Sequence, residues 1–143
     1  MKITQISVFL ENKKGRLYDA VRVLGEKGIN IKTLSIAENE DFGVLRMIVA
    51  APQEALGVLK ANNFVASITD IVAVEVEDCP GGLAKVLKVL DENKINIEYM
   101  YAFVEKSADK AILVFRFDDL DKAIVTLTKN GIRVVGKKDI VNL

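Results

Sequence analysis

The sequence predicts an α+β fold made of two tandem βαββαβ units, each an antiparallel sheet with both helices on one face. Three observations predict it. The chain repeats itself. Its apolar residues alternate in some stretches and recur at helical spacing in others. A glycine-bearing loop stands at the same place in each repeat. Aligning Gly15–Ile31 with Gly81–Ile97, an offset of 66, makes eight of the seventeen pairs identical, among them Leu17/Leu83, Asn30/Asn96 and Ile31/Ile97. Further along the offset becomes 68, so that "DFGVLRMIV" faces "DKAILVFRF". Two residues have entered a turn, the usual place for an insertion. The pattern predicts domains at 1–69 and 70–143.

The elements follow in order. The first strand is Thr4–Leu10, with Ile6, Val8 and Leu10 on one face, and its counterpart is Ile71–Glu77, with Val72, Val74 and Val76. Each runs through a glycine loop into a helix striped by Leu17, Ala20/Val21 and Leu24, or by Leu83, Val86/Leu87 and Leu90. Gly25 and Gly28 are read as stopping the first helix. The second strands are Ile31–Ala37 and Ile97–Val104, followed by turns at Glu38–Gly43 and Lys106–Lys110. The third strands are Val44–Ala50 and Ile112–Phe117. The second helices open near Pro52, which suits a first helical turn, and near Asp118 or Asp119 as N-cap. Gly131 reads as the C-cap before the last strand, Ile132–Val135, whose counterpart is Phe64–Ile68. This order is that of a ferredoxin-like unit, written twice. The terminal "KDIVNL" reads as an extra edge strand.

Several strands are apolar on both faces: Leu45, Met47 and Val49 alternate with Val44 and Ile48, and Tyr99, Tyr101 and Phe103 stand beside Met100. Helices cover one face. The other is expected to meet another sheet, of the sister unit or of a second chain.

Composition excludes several classes. Half of the 143 residues are apolar, enough for a core, and the 20 Lys+Arg balance the 20 Asp+Glu. A neutral chain lacks the basic field that nucleic acid or an anionic membrane surface requires. "GVLRMIV" does not fit an RNA-binding strand. There is no histidine, so neither a Ser-His-Asp nor a Cys-His system nor an imidazole metal ligand is available. The single cysteine, Cys79, can form no intrachain disulfide and no thiolate metal site. The opening "MKITQISVFLENKKG" has no continuous apolar segment, and no run is long enough to span a bilayer. A cytoplasmic, non-catalytic protein without metal or cofactor is expected.

The loop between the first strand and first helix is the most informative stretch. It reads "ENKKGRL" (Glu11–Leu17) in one copy and "EDCPGGL" (Glu77–Leu83) in the other. Gly15, Gly81 and Gly82 let a ligand approach the main chain. The helix start favours an anion. Asn12 or Asp78 could accept an ammonium group, giving a zwitterion site, or could simply cap the helix. Lys13, Lys14 and Arg16 read either as a solvated basic patch or as a carboxylate clamp. Cys79 and Pro80 read as loop residues. Asn30 and Asn96 are either turn residues tolerating left-handed geometry or ligand contacts. Ile29 and Ile95 read as core plugs. "FDDLD" (Phe117–Asp121) reads as a cap, not a metal site, and "ENED" (Glu38–Asp41) as a solvated turn.

"DCPGGLAKVLKVLDENKINI", and "NKKGRLYDAVRVLGEKGINI" with Lys14 in place of the proline, resemble the ACT domain. The resemblance covers the chain as two copies and is nearest to stand-alone tandem ACT proteins. It implies a small-molecule sensor that binds a free amino acid between ACT units, and a homodimer. The ligand would touch Asn12, Lys13, Lys14, Gly15, Arg16 and Leu17 in one copy. In the other it would touch Asp78, Cys79, Pro80, Gly81, Gly82 and Leu83. Asn30, Ile31, Asn96 and Ile97 would come from the facing strand. The alternative is a regulatory subunit docking on an amino-acid biosynthetic enzyme. "VFLENKKGRL … INIKTL" resembles the ACT part of acetolactate synthase subunits, although those carry one ACT copy and a further C-terminal domain.

Overall fold

A computed structural model describes residues 1–38, 41–103 and 109–141. The expected turns Glu38–Gly43 and Lys106–Lys110, the strand end Val104 and the last two residues of "KDIVNL" fall wholly or partly outside the described residues. The chain divides into two compact units, Thr4–Thr69 and Asp70–Leu143 together with Met1–Ile3.

The elements are β1 (Ile3–Glu11), α1 (Arg16–Glu26), β2 (Ile31–Glu38), β3 (Phe42–Val49), α2 (Pro52–Ala61), β4 (Val65–Glu77), α3 (Gly82–Glu92), β5 (Ile97–Ala102), β6 (Lys110–Phe117), α4 (Leu120–Lys129), β7 (Val134–Val135) and α5 (Lys137–Val141). Strand order is β2-β3-β1-β4 in the first unit and β5-β6-β4-β7 in the second, so the same arrangement is built twice. β4 serves both: Val65–Thr69 closes one unit and Asp70–Glu77 opens the other. The sequence reading broke it in two, but nothing between Ile68 and Ile71 breaks an extended backbone, since neither glycine nor proline is there.

Antiparallel register sets the core. Ile6 faces Met47 and Val8 faces Leu45, so β1 and β3 offer one apolar floor. Ala20, Val23 and Leu24 of α1 and Ala55 and Leu59 of α2 close over it. In the second unit Val72 faces Phe115 and Val74 faces Leu113, under Val86, Leu90, Ala123 and Leu127. Phe115 and Phe117, two apart on β6, stack with centroids 5.2 Å apart. The face turned away from the helices is buried at Thr33 and Ile48, and at Ile71, Ala73, Ile112 and Val114. It is open at Phe9 and Phe42.

Several ends are resolved differently from the sequence reading. α1 stops at Glu26 with Lys27 as C-cap, so Gly25 lies inside its last turn and Gly28 takes the left-handed position (φ 72°). In the second unit that position is Lys94 (φ 55°). Asn30 and Asn96 are therefore not the left-handed turn residues; the reversal is complete before them. Of Asp118 and Asp119, it is Asp119 that caps α4, accepting from the Lys122 N–H at 3.0 Å. The tail expected as an edge strand is the short helix α5. The Asp139 carboxylate accepts from the Gly136 N–H at 3.2 Å, which satisfies a free donor at that helix start.

Candidate functional site

Each loop leaves a strand end that is tied to its neighbour. The Asn12 N–H donates to the Asp41 carbonyl at 2.9 Å, and the Asp78 N–H to the Asp109 carbonyl at 2.9 Å. The chain then turns through Gly15 (φ 87°) or Gly81 (φ 82°), left-handed positions that favour glycine. These glycines, not Asn12 and Asp78, are the N-cap residues, so neither α1 nor α3 is capped by the side chain of its N-cap. Gly82 is buried, and a Cβ on it would collide with the Glu77 carbonyl oxygen.

Around this shared backbone the two loops differ. Lys13 pairs with Glu11 at 2.8 Å. The Lys13 hydrogen bond, then its charge, holds the Glu11 carboxyl below its ordinary value. Lys14 is exposed. The Arg16 side chain is partly buried, and its guanidinium carbon lies 4.6 Å from the Phe64 ring centroid. Its Nε is buried without a hydrogen-bond partner among the described residues. In the second loop Cys79 and Pro80 are exposed, and the Cys79 Sγ stands 3.9 Å from the Glu77 carboxylate. Leu17 and Leu83, read as part of the core stripes, instead stand 40% and 37% exposed at the helix starts. The buried stripes begin one turn later, at Ala20 and Val86.

Ile29 and Ile95 are buried plugs. Ile31 and Ile97 are half-buried against the two cores. The Asn30 carbonyl accepts from the Ala50 N–H at 3.3 Å and the Asn96 carbonyl from the Asp118 N–H at 3.1 Å. Directly after each junction the ladder shifts register, between Ile31 and Thr33 and between Ile97 and Tyr99. The repeated junction thus writes a core plug, a strand entry and a shift of register.

Register also shows what each unit cannot do alone. Glu11 faces Phe42 at one end of β3, and Ile31 faces Val49 at the other, a separation of 49 − 42 = 7 residues. Seven residues of strand span about 24 Å. The second unit repeats this, with Glu77 facing Lys110 and Ile97 facing Phe117. The glycine loop and the "INI" junction of one unit therefore cannot touch the same small ligand.

The Arg16–Phe64 contact escaped the sequence reading because the partners are far apart in the chain. A signal existed: both positions change between copies, to Gly82 and Ile132. Among the described residues no cluster of three or more His, Cys, Asp or Glu could hold a metal ion. No described helix is long and apolar enough to cross a membrane.

A family model described as an ACT domain pair matches residues 1–143. Among solved structures the chain is similar to protein BT0572 from Bacteroides thetaiotaomicron, at 42% identity over 100% of this chain and 98% of that one, with TM-score 0.93. It also resembles in fold the regulatory subunit of aspartate kinase from Thermus thermophilus, at 19% identity over 88% and 91%, with TM-score 0.65. The Thermus flavus subunit gives 17% identity, 88% and 90%, and TM-score 0.62. No curated protein matches.

Proposed function

The chain belongs to the ACT domain pair family, and from that membership we propose that it is a non-catalytic regulatory protein that binds a free amino acid. The two ACT domains would be 1–69 and 70–143. The ligand would lie on the loops Asn12–Leu17 and Asp78–Leu83, with Asn30, Ile31, Asn96 and Ile97 supplied by a facing unit.

One observation carries this reading. Both units place a left-handed glycine at the N-cap of their first helix, followed by an exposed leucine. Such a loop presents main chain and an apolar side chain together. A carboxylate is favoured at the helix start, and Asp78 or Asn12 offers oxygen to the ammonium group. The two ends of each sheet lie too far apart to share a ligand, so the reading requires units to face one another. A homodimer supplies this. Leu34 and Ile36, each 44% exposed on the outermost strand β2, favour one. The site needs no metal or cofactor, and nucleic acid and membrane are not its partners. The cytoplasm is the compartment that suits a sensor of free amino acids. A metabolic enzyme is the proposed recipient of the signal.

A thermal-shift screen of the protein against the twenty amino acids tests this, because a ligand of the folded state raises the melting temperature. A selective rise for one or a few is expected. No rise at millimolar concentration contradicts amino-acid sensing and leaves the enzyme-docking subunit as the reading.

A further inference from the structure

The sheet of the first unit ends at β2, which pairs with β3 alone among the described elements. Leu34 faces Met47 and Ile36 faces Leu45, so both stand on the side of the sheet that carries the helices, yet both are exposed. We propose that a second copy of the chain pairs antiparallel along this edge, about a two-fold axis at Ser35.

The strand itself selects the register. A two-fold axis perpendicular to a sheet returns each side chain to its own face, so one residue of the strand meets itself at the axis. With the axis at Ser35, Leu34 of each copy comes opposite Ile36 of the other, and Lys32 comes level with Glu38. Apolar residues then meet apolar residues, and opposite charges meet. An axis at Leu34 would set Ile36 against Lys32, and one at Ile36 would set Leu34 against Glu38. The strand at the other end of the sheet path, β5, is a poorer partner for β2. The register that sets Leu34 against Ala102 and Ile36 against Met100 also opposes Glu38 and Glu98, which are like charges. The pairing is therefore β2 with β2.

This edge also completes the proposed ligand site, and to that extent the inference rests on the amino-acid reading. Glu38 and Leu10 both face Gly43, at the end of the sheet from which the loop Asn12–Leu17 leaves. Lys32 directly follows the junction at Asn30 and Ile31. Setting Lys32 of one copy level with Glu38 of the other carries that junction to the loop end of the other copy. Each copy thus supplies what the other places about 24 Å from its own loop.

The test is sedimentation of the full-length protein without amino acid, for wild type, Leu34→Glu, and Leu34→Glu combined with Ile36→Lys. Both positions are exposed, so the fold tolerates the changes, and far-UV circular dichroism checks this. Wild type is expected to be a dimer at tens of micromolar. Leu34→Glu should raise its dissociation constant by about tenfold, through loss of both Leu34–Ile36 pairs. The double variant should recover most of that, because Glu and Lys then stand opposite each other. An axis at Leu34 or at Ile36 would instead bring like charges together in the double variant. A second readout is oxidation of Ser35→Cys in a Cys79→Ser background. Residues directly opposite lie about 4.5–5.5 Å apart at Cα, within reach of a disulfide. Ser35→Cys is expected to cross-link two chains, and Thr33→Cys, which faces Ala37, is not. A monomeric wild type, no recovery in the double variant, or cross-linking at Thr33→Cys in preference to Ser35→Cys overturns the proposal. Because no amino acid is present, the pairing and the amino-acid melting shift fail or hold independently.

Discussion

The guanidinium of Arg16 stands over the ring of Phe64, 4.6 Å from its centroid, and joins the start of α1 to the chain leaving α2. Arg16 is partly buried and Phe64 fully so. The pair therefore belongs to the packed body of the first unit, although Arg16 lies in the candidate loop. A cation on an aromatic face contributes about 0.5–1 kcal/mol at a partly exposed site. A double-mutant cycle of Arg16→Met and Phe64→Leu, read by urea unfolding, is expected to return a coupling of that size. Strict additivity would show that the contact does no more than fill space.

The glycines of the second loop separate two costs. Gly81 has open space around its Cβ position but a φ of 82°, so Gly81→Ala should cost about 1–2 kcal/mol from the left-handed backbone alone. Gly82 carries no positive φ, yet its Cβ would strike the Glu77 carbonyl oxygen. Gly82→Ala should therefore destabilise more than Gly81→Ala in urea unfolding. Equal losses would contradict the close approach.

Glu11 gives a pH signature. Its carboxyl is held below the ordinary value by Lys13, so the folded state keeps the proton off more readily than the unfolded chain does. The resulting stabilisation is present above the unfolded pKa and is lost as pH falls through the folded one. Because Glu11 is exposed, the effect is small and screened by salt. An NMR titration should find the Glu11 midpoint depressed, and Lys13→Met should return it towards the ordinary value. An unchanged midpoint in that variant would remove Lys13 as the cause.

Asp119 is the cap that starts α4, and Asp118 ties that start to β5 by accepting from the Asn96 N–H at 3.1 Å. Asp119→Ala should cost about 1 kcal/mol, and Asp119→Asn should retain most of that. The check is the urea midpoint at unchanged m-value. Equal loss in both variants would mean that charge, not the accepted hydrogen bond, carries the effect.

The repeat made most of this architecture readable. Alternation in Val72, Val74 and Val76 and the stripes ending in Leu24 and Leu90 follow from local periodicity, which burial on one face enforces. Element ends were harder. The left-handed position at Lys94 and the helix at "KDIV" depend on local hydrogen bonds, such as that from Gly136 to Asp139, that leave little periodic trace. The loops announced themselves by glycine. The fate of Arg16 depended on Phe64, a partner the linear pattern does not bring near. Likewise the separation of the loop from the "INI" junction is a matter of strand register, which emerges only when β1, β2 and β3 are paired.

The most direct test of the sensor account is calorimetry of the amino acid that raises the melting temperature, beside its des-amino analogue, in wild type and in Asp78→Ala. If Asp78 receives the ammonium group, the substitution weakens the amino acid by about tenfold or more and barely affects the analogue. Equal weakening of both, or none of either, would contradict the account, for Asp78 would then shape the loop without reading the ligand.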